Sequence, residues 1–188
     1  MTTSDQELVL DYINGDEQSL KNLIERYLSS IYNFVYHLCG NKQDAEDITQ
    51  EVFVKVWKNI KKYKPEQNFK TWIFSVARNT AIDWLRKRKN LVFSDFETEN
   101  GENVIENTIS DDNHRTDELA ILYENKKILY KAMEKLSPIH QSILIMRYNE
   151  EFTFKEIGEI LDKPMDTVKS QHHRALLQLK KILGDAPN

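Results

Sequence analysis

The chain has 188 residues, 40% of them hydrophobic, and a formal net charge of −4, which is enough apolar content for a core and excludes disorder throughout. A single cysteine, Cys39, excludes a disulfide framework or a cysteine zinc site built within the chain, and fits a reducing cytosol, where it would serve as a small buried apolar residue. No apolar run is long enough to span a bilayer and the polar start MTTSDQE is not a signal peptide, so a soluble cytoplasmic protein with no membrane insertion is expected.

Only five glycines and four prolines punctuate a chain rich in Leu, Ile, Lys and Glu, which predicts an all-α fold. Asn14-Gly15 closes a short opening helix, and Asp16 caps a longer one that runs to Cys39-Gly40. Asn41 with Asp44 makes a capping pair for the next helix, DAEDITQEVFVKVWKNIKK. The stretch KYKPEQNF interrupts it, because Pro65 pushes Lys64 out of the α region. From Thr71 to Lys89 the chain reads TWIFSVARNTAIDWLRKRK, with Trp72, Ile73, Val76, Ala77, Thr80, Ala81, Trp84 and Leu85 along one stripe. Residues 1–89 therefore read as a first unit of four packed helices.

Residues 90–117 lack helical periodicity and are rich in Asn, Asp, Glu, Ser and Thr, the composition of a flexible acidic linker. Fully stretched it would reach ~90 Å at about 3.3 Å per residue. A second unit, residues 118–188, opens with a helix near Glu118, and Ser137-Pro138 gives the next helix an N-cap and a first-turn proline. Thr153 and Glu156 form a capping box for TFKEIGEIL. After the short break Asp162-Lys163-Pro164, a last helix carries Val168, His172, Ala175, Leu176, Leu179 and Ile182 on its inner face. Two helices joined this tightly predict a helix-turn-helix.

The charge is unevenly spread. Val52 to Lys89 holds 11 cations against 2 anions, whereas Met1 to Glu51 holds 3 against 10 and the linker 1 against 8. Attraction to phosphate acts over a Debye length of about 8 Å, so a local surplus outweighs the total. In the last helix, Lys169, Ser170, Gln171, His173 and Arg174 face outward if Val168, His172 and Ala175 face inward. These are residue types that neutralise phosphate or read base edges in the major groove. Around the interruption, Lys61, Lys62, Lys64 and Lys70 are interleaved with Tyr63, Phe69 and Trp72, while Arg78, Asn79, Asp83 and Arg86 share the outer face of the helix that follows. Cations with aromatics suit single-stranded nucleic acid, whose bases stack on rings while its backbone tracks positive charge. On the helix after Asn41, Asp47, Gln50, Glu51 and Val54 share a face away from Ile48, Val52 and Val56, a mixed acidic and apolar strip suited to a basic helical partner. Asp44, Asp47 and Glu51 would suit a hard metal, but no histidine stands at ligand spacing and no Gly-rich phosphate loop is present, so neither metal, cofactor nor catalysis is expected.

Taken together, DAEDITQEVFVKVW, FKTWIFSVARNTAIDWLRKRK, the acidic linker, EKLSPIHQSILIMRYNEEFTFKEIGEIL and DTVKSQHHRALLQLKK resemble a bacterial sigma factor of the extracytoplasmic-function (ECF) class, which keeps only domains two and four of the sigma-seventy family. The resemblance spans nearly the whole chain in order. It implies a non-enzymatic subunit that binds core RNA polymerase and directs transcription initiation at promoters. It implies that Asp47, Gln50, Glu51 and Val54 dock on the clamp helices of the polymerase's largest subunit. Residues Lys61 to Lys70, with Arg78, Asn79, Asp83 and Arg86, would open the minus-ten element and capture an unpaired base. Lys169, Ser170, Gln171, His173 and Arg174 would read the minus-thirty-five element as duplex, and the linker would thread into the polymerase near nascent RNA. It also admits an anti-sigma protein as a further partner. Asp162 and Asp166 depart from the usual glycines around the turn, and Gln171 from a common arginine. A stand-alone helix-turn-helix regulator is the alternative, and it leaves the first unit unexplained; a helical adaptor would leave the basic segment to chance.

Overall fold

A computed structural model of the chain describes residues 3–64, 66–94 and 117–184, and the side chains among them outside 89–125. The regular structure of the described residues is helical, in the order α1 (Asp5–Ile13), α2 (Glu17–Cys39), α3 (Lys42–Asn59), α4 (Phe69–Ser94), α5 (Asp117–Glu134), α6 (Pro138–Tyr148), α7 (Phe154–Leu161) and α8 (Met165–Gly184), with one 3₁₀ turn, Ile60–Lys62, after α3. None of these helices is long and apolar enough to cross a membrane.

Local side-chain chemistry sets the helix ends. Ser4 and Glu7 form a reciprocal capping box at α1. The Asp16 carboxylate accepts from the Gln18 amide at 3.1 Å to start α2, and Gly40, in the left-handed region at φ +69°, ends it by donating to the Tyr36 carbonyl at 2.8 Å. Asn41 accepts from the Asp44 amide at 3.0 Å. Each such cap satisfies a backbone donor or acceptor left over at a helix end and contributes about 1 kcal/mol. The expected linker begins too early at Asn90, since α4 continues to Ser94; the rest of it, 95–116, lies outside the described residues.

α2, α3 and α4 pack on one another and α1 closes against α2, where Arg26 and Tyr27 both reach the Asp5 carboxylate. Ile31, Phe34, Val35, Ala45, Ile48, Val52, Val56, Ile60, Ile73, Phe74 and Ala77 make the solvent-free centre of this unit. In the second unit α6, α7 and α8 pack around Ile143, Ile145, Met146, Ile157 and Val168. The two groups also meet: α4 lies against α7 and α2 against α6, and one apolar cluster runs through both. Two tethered units do not by themselves imply this packing.

The α7–α8 junction is tight. The Thr153–Glu156 capping box starts α7, and Asp162 ends it at φ +51° and ψ +52°, a left-handed conformation that L side chains adopt at a cost. Gly158 packs so closely under this turn that a Cβ placed there would lie 2.7 Å from the Lys163 carbonyl oxygen. Gly158→Ala is therefore expected to cost about 1–3 kcal/mol through forced displacement of backbone, read as a lower urea midpoint at unchanged slope. Asp162→Gly should instead raise stability by about 0.5–1 kcal/mol by relieving the left-handed strain. A midpoint that does not move in either variant would contradict this account of the turn.

Candidate nucleic-acid interface

On α8, Val168 and Ala175 are fully buried, and Lys169, Ser170, His173 and Arg174 stand exposed on the opposite side. These four match the outward face expected of a recognition helix. Gln171 does not: it is half-buried, and its side-chain carbonyl oxygen is enclosed with no partner among the described residues. Lys169 lies 3.6 Å from Asp166, one turn earlier, in an exposed pair of little energetic weight. His172 is inward-leaning as expected, its ring edge-on to Phe154 at 5.0 Å and its Nε2 3.1 Å from the Tyr148 hydroxyl. Burial holds its pKa below the ordinary histidine value.

The basic loop needs a correction. Lys61, Lys62 and Lys64 are exposed, but the rings between them are not offered to a strand: Phe69 is 1% and Tyr63 5% exposed. Both rings sit in a cluster with Trp72, at 5.4 to 5.5 Å between centroids, and Phe69 also touches Tyr27. The Tyr63 hydroxyl donates to the Gln67 carbonyl across the loop. Hydrophobic burial of the two rings outweighs any stacking role, because the loop between α3 and α4 must be anchored to the bundle at both ends. The cations remain outside while their aromatic neighbours turn in. Phe69 is therefore a core residue.

Further along α4, Asn79, Asp83 and Arg86 are exposed and Arg78 half-buried, so the expected outer face is present. Arg78 donates to Asn79 at 3.0 Å, and Arg86 lies 3.7 Å from Asp83. Trp72 and Trp84 are both half-buried, on the inner stripe rather than divided between core and strand. Arg88, from the terminal basic run, is not a free cation: it donates to Asp44 at 2.6 Å and lies 5.2 Å over the Trp84 ring, tying the end of α4 to the start of α3.

Lys70 stands apart from the other loop cations. It is half-buried, its Nζ donating to the Glu150 carbonyl oxygen at 2.7 Å and resting 4.6 Å over the Phe152 ring. Burial raises the Glu150 carboxyl above its ordinary range, with Lys70 opposing.

On α3, Asp47, Gln50, Glu51 and Val54 are all exposed on one face, with Glu51 2.7 Å from Lys55. One residue belongs beside them that the sequence reading passed over. Trp57, 54% exposed, continues the face at i+3 from Val54, and its indole N–H donates to the Tyr12 hydroxyl at 3.0 Å. An apolar residue on the polar face of α3 is the signal that could have found it. Cys39 is half-buried, and burial raises its thiol pKa, which makes it a poor nucleophile.

Residues 23–91 match the family model for sigma-70 region 2, and residues 132–181 match that for sigma-70 region 4. The ECF RNA polymerase sigma factor SigW of Bacillus subtilis is 31% identical over 172 residues, spanning 91% of this chain and 92% of its own. SigX of the same organism is 27% identical over 168 residues, spanning 88% and 84%. Among solved structures, the sigma factor RpoE in complex with the anti-sigma factor NepR from Bartonella quintana superposes with a TM-score of 0.69 at 22% identity, covering 89% of this chain and 98% of that one. CnrH in complex with the cytosolic domain of CnrY gives 0.70 at 17% identity, covering 97% and 99%. With a relative this similar over nearly its whole length, and both regions matched in order, the chain belongs to the ECF family of RNA polymerase sigma factors.

Proposed function

We propose that the chain divides the work of a sigma factor among three faces, bound together by one polypeptide that catalyses nothing itself and acts in the cytoplasm. The α3 face, Asp47, Gln50, Glu51 and Val54 extended by Trp57, docks on the clamp helices of core polymerase. Carboxylates around an apolar centre fit a basic helical partner, and the exposed indole is the kind of large anchor that dominates interfaces. The exposed cations Lys61, Lys62 and Lys64, with Arg78, Asn79, Asp83 and Arg86 on α4 and the half-buried Lys70 at its start, hold the minus-ten element as its strands part. Phe69 supports this loop from beneath. Residues Lys169, Ser170, His173 and Arg174 on α8 meet the minus-thirty-five element as duplex, with Gln171 at the margin of that face. With α4 running to Ser94 and α5 beginning at Asp117, residues 1–94 serve as domain two, 95–116 as the tether and 117–188 as domain four. An anti-sigma protein is a further partner, a reading supported by the solved relative bound to one.

The observation that carries this reading is the placement of the exposed sets: the α3 and α4 faces fall within the segment matching region 2, and the α8 face within the segment matching region 4. A stand-alone regulator would use the α8 face alone and leave the other two idle. Mixing the purified chain with core polymerase should give co-migration and promoter-specific transcription. Tight duplex binding without polymerase would favour the regulator instead, and neither activity would favour an adaptor.

Replacing Lys169 and Arg174 together with Ala should lower promoter use by roughly tenfold or more, since base and phosphate contacts are worth about 1–3 kcal/mol each, while polymerase binding stays intact. Loss of complex formation in this variant would show that the faces do not divide the work as assigned. Reversing Asp47 and Glu51 to Lys should weaken polymerase binding by more than about tenfold. The helix content should hold, because the two new like-charge pairs, 47 with 51 and 51 with 55, cost only about 0.2–0.5 kcal/mol each; loss of helical circular dichroism would assign these residues to the fold.

A further inference from the structure

Trp57 is the largest exposed apolar side chain of α3, and its indole N–H donates to the Tyr12 hydroxyl of α1 at 3.0 Å, 45 residues away in the chain. That bond joins α1 to α3 at the end of the strip Asp47, Gln50, Glu51 and Val54. α1 itself precedes residues 23–91, the segment that matches region 2.

α1 is firmly mounted. Leu8 and Val9 are buried, Arg26 donates to the Asp5 carboxylate and to the Thr3 carbonyl oxygen, and the Tyr27 hydroxyl donates to Asp5. The Tyr12 ring is half-buried against the core of the first unit, which fixes the place of its hydroxyl. Trp57 has no such enclosure. Its neighbour Val56 is sealed in the core and turns the indole outward, where a ring is free to move among rotamers unless something holds it. A hydrogen bond between two neutral groups within reach of solvent adds little to folding stability, because water serves either partner almost as well. What this one changes is the orientation of the ring.

We propose that Tyr12 is a positioning residue for polymerase docking: its hydroxyl sets the Trp57 indole in one orientation before core polymerase arrives, so that α1 shapes the α3 face without belonging to the strip. The proposal rests on the docking reading above and extends it. A large ring that meets its partner already oriented loses less freedom on binding than one ordered at that moment, a difference of about two- to tenfold in affinity for one side chain. The carboxylates of the strip act by another route. Asp47 and Glu51 attract a basic partner through charge, and their effect falls with salt, whereas the Tyr12 effect involves no charge and does not.

The test is a double-substitution cycle on the full chain, read as the dissociation constant for core polymerase in competition with labelled wild-type chain. Tyr12→Phe removes the hydroxyl and keeps the ring packed, and Trp57→Phe removes the N–H and keeps an aromatic ring. Tyr12→Phe should weaken binding by at least about twofold, equally at low and high salt, with the urea midpoint unchanged. The loss should vanish in the Trp57→Phe background. A loss below about twofold, an equal loss in both backgrounds, or a urea midpoint that falls with the affinity overturns the positioning role. Trp57→Ala separates this failure from failure of the docking reading. A loss larger than that of Tyr12→Phe keeps the α3 face as the dock whatever Tyr12 does, and an unchanged affinity removes the dock and the role of Tyr12 together.

Discussion

The ring of Phe74 sits where everything in this molecule meets. It is fully buried, with Phe34 of α2 against it at 5.3 Å and Phe152 of the second unit at 5.0 Å, both edge-on. Such pairs contribute about 0.5–1.5 kcal/mol each beyond the area they bury. A single side chain thus belongs to the core of one unit and to the junction with the other. α4 is consequently apolar over a broad arc, with Ile73, Phe74, Ala77 and Ala81 sealed and Trp72, Val76 and Trp84 half-buried around them. The helix has little surface left beyond Asn79, Asp83, Arg86, Lys87 and Arg88, part of which is the face proposed above for the minus-ten element.

Electrostatics is arranged around that constraint. Two sets of cations stand out in the central segment. Arg88 and Lys70 are held by partners on other elements, Asp44 and Glu150, and serve to fix the two ends of α4. Lys61, Lys62, Lys64, Arg86 and Lys87 stand in solvent, where a phosphate backbone can displace their counterions. The exposed carboxylates of α3, Asp47 and Glu51, would on the proposed reading meet protein, and the exposed cations nucleic acid.

Much of this was legible in the sequence where local chemistry decides it. Asp16, Asn41, Ser137 and Thr153 accept the backbone donors expected of caps, Gly40 adopts the left-handed conformation that ends a helix, and Val168 and Ala175 face inward at the expected spacing. What escaped were decisions made between distant parts of the chain. Cations beside Tyr63 and Phe69 read equally as a stacking platform or as a loop pinned by its rings, and only the presence of Tyr27 and Trp72 beneath them settles it for the core. The partnerships of Arg88 with Asp44, 44 residues apart, and of Lys70 with Glu150, 80 apart, leave no periodic trace. Trp57 was hidden by its setting on a largely polar face beside Val54, and the continuation of α4 past Lys89 by a linker composition that begins before the helix ends.

The central claim of the proposed function is that the faces of both units act through core polymerase. Promoter binding by the full chain, followed by fluorescence anisotropy with and without core polymerase at fixed salt, tests it most directly. A promoter-specific complex that forms only when polymerase is present is the expected result. Equally tight, sequence-specific binding by the chain alone would contradict it.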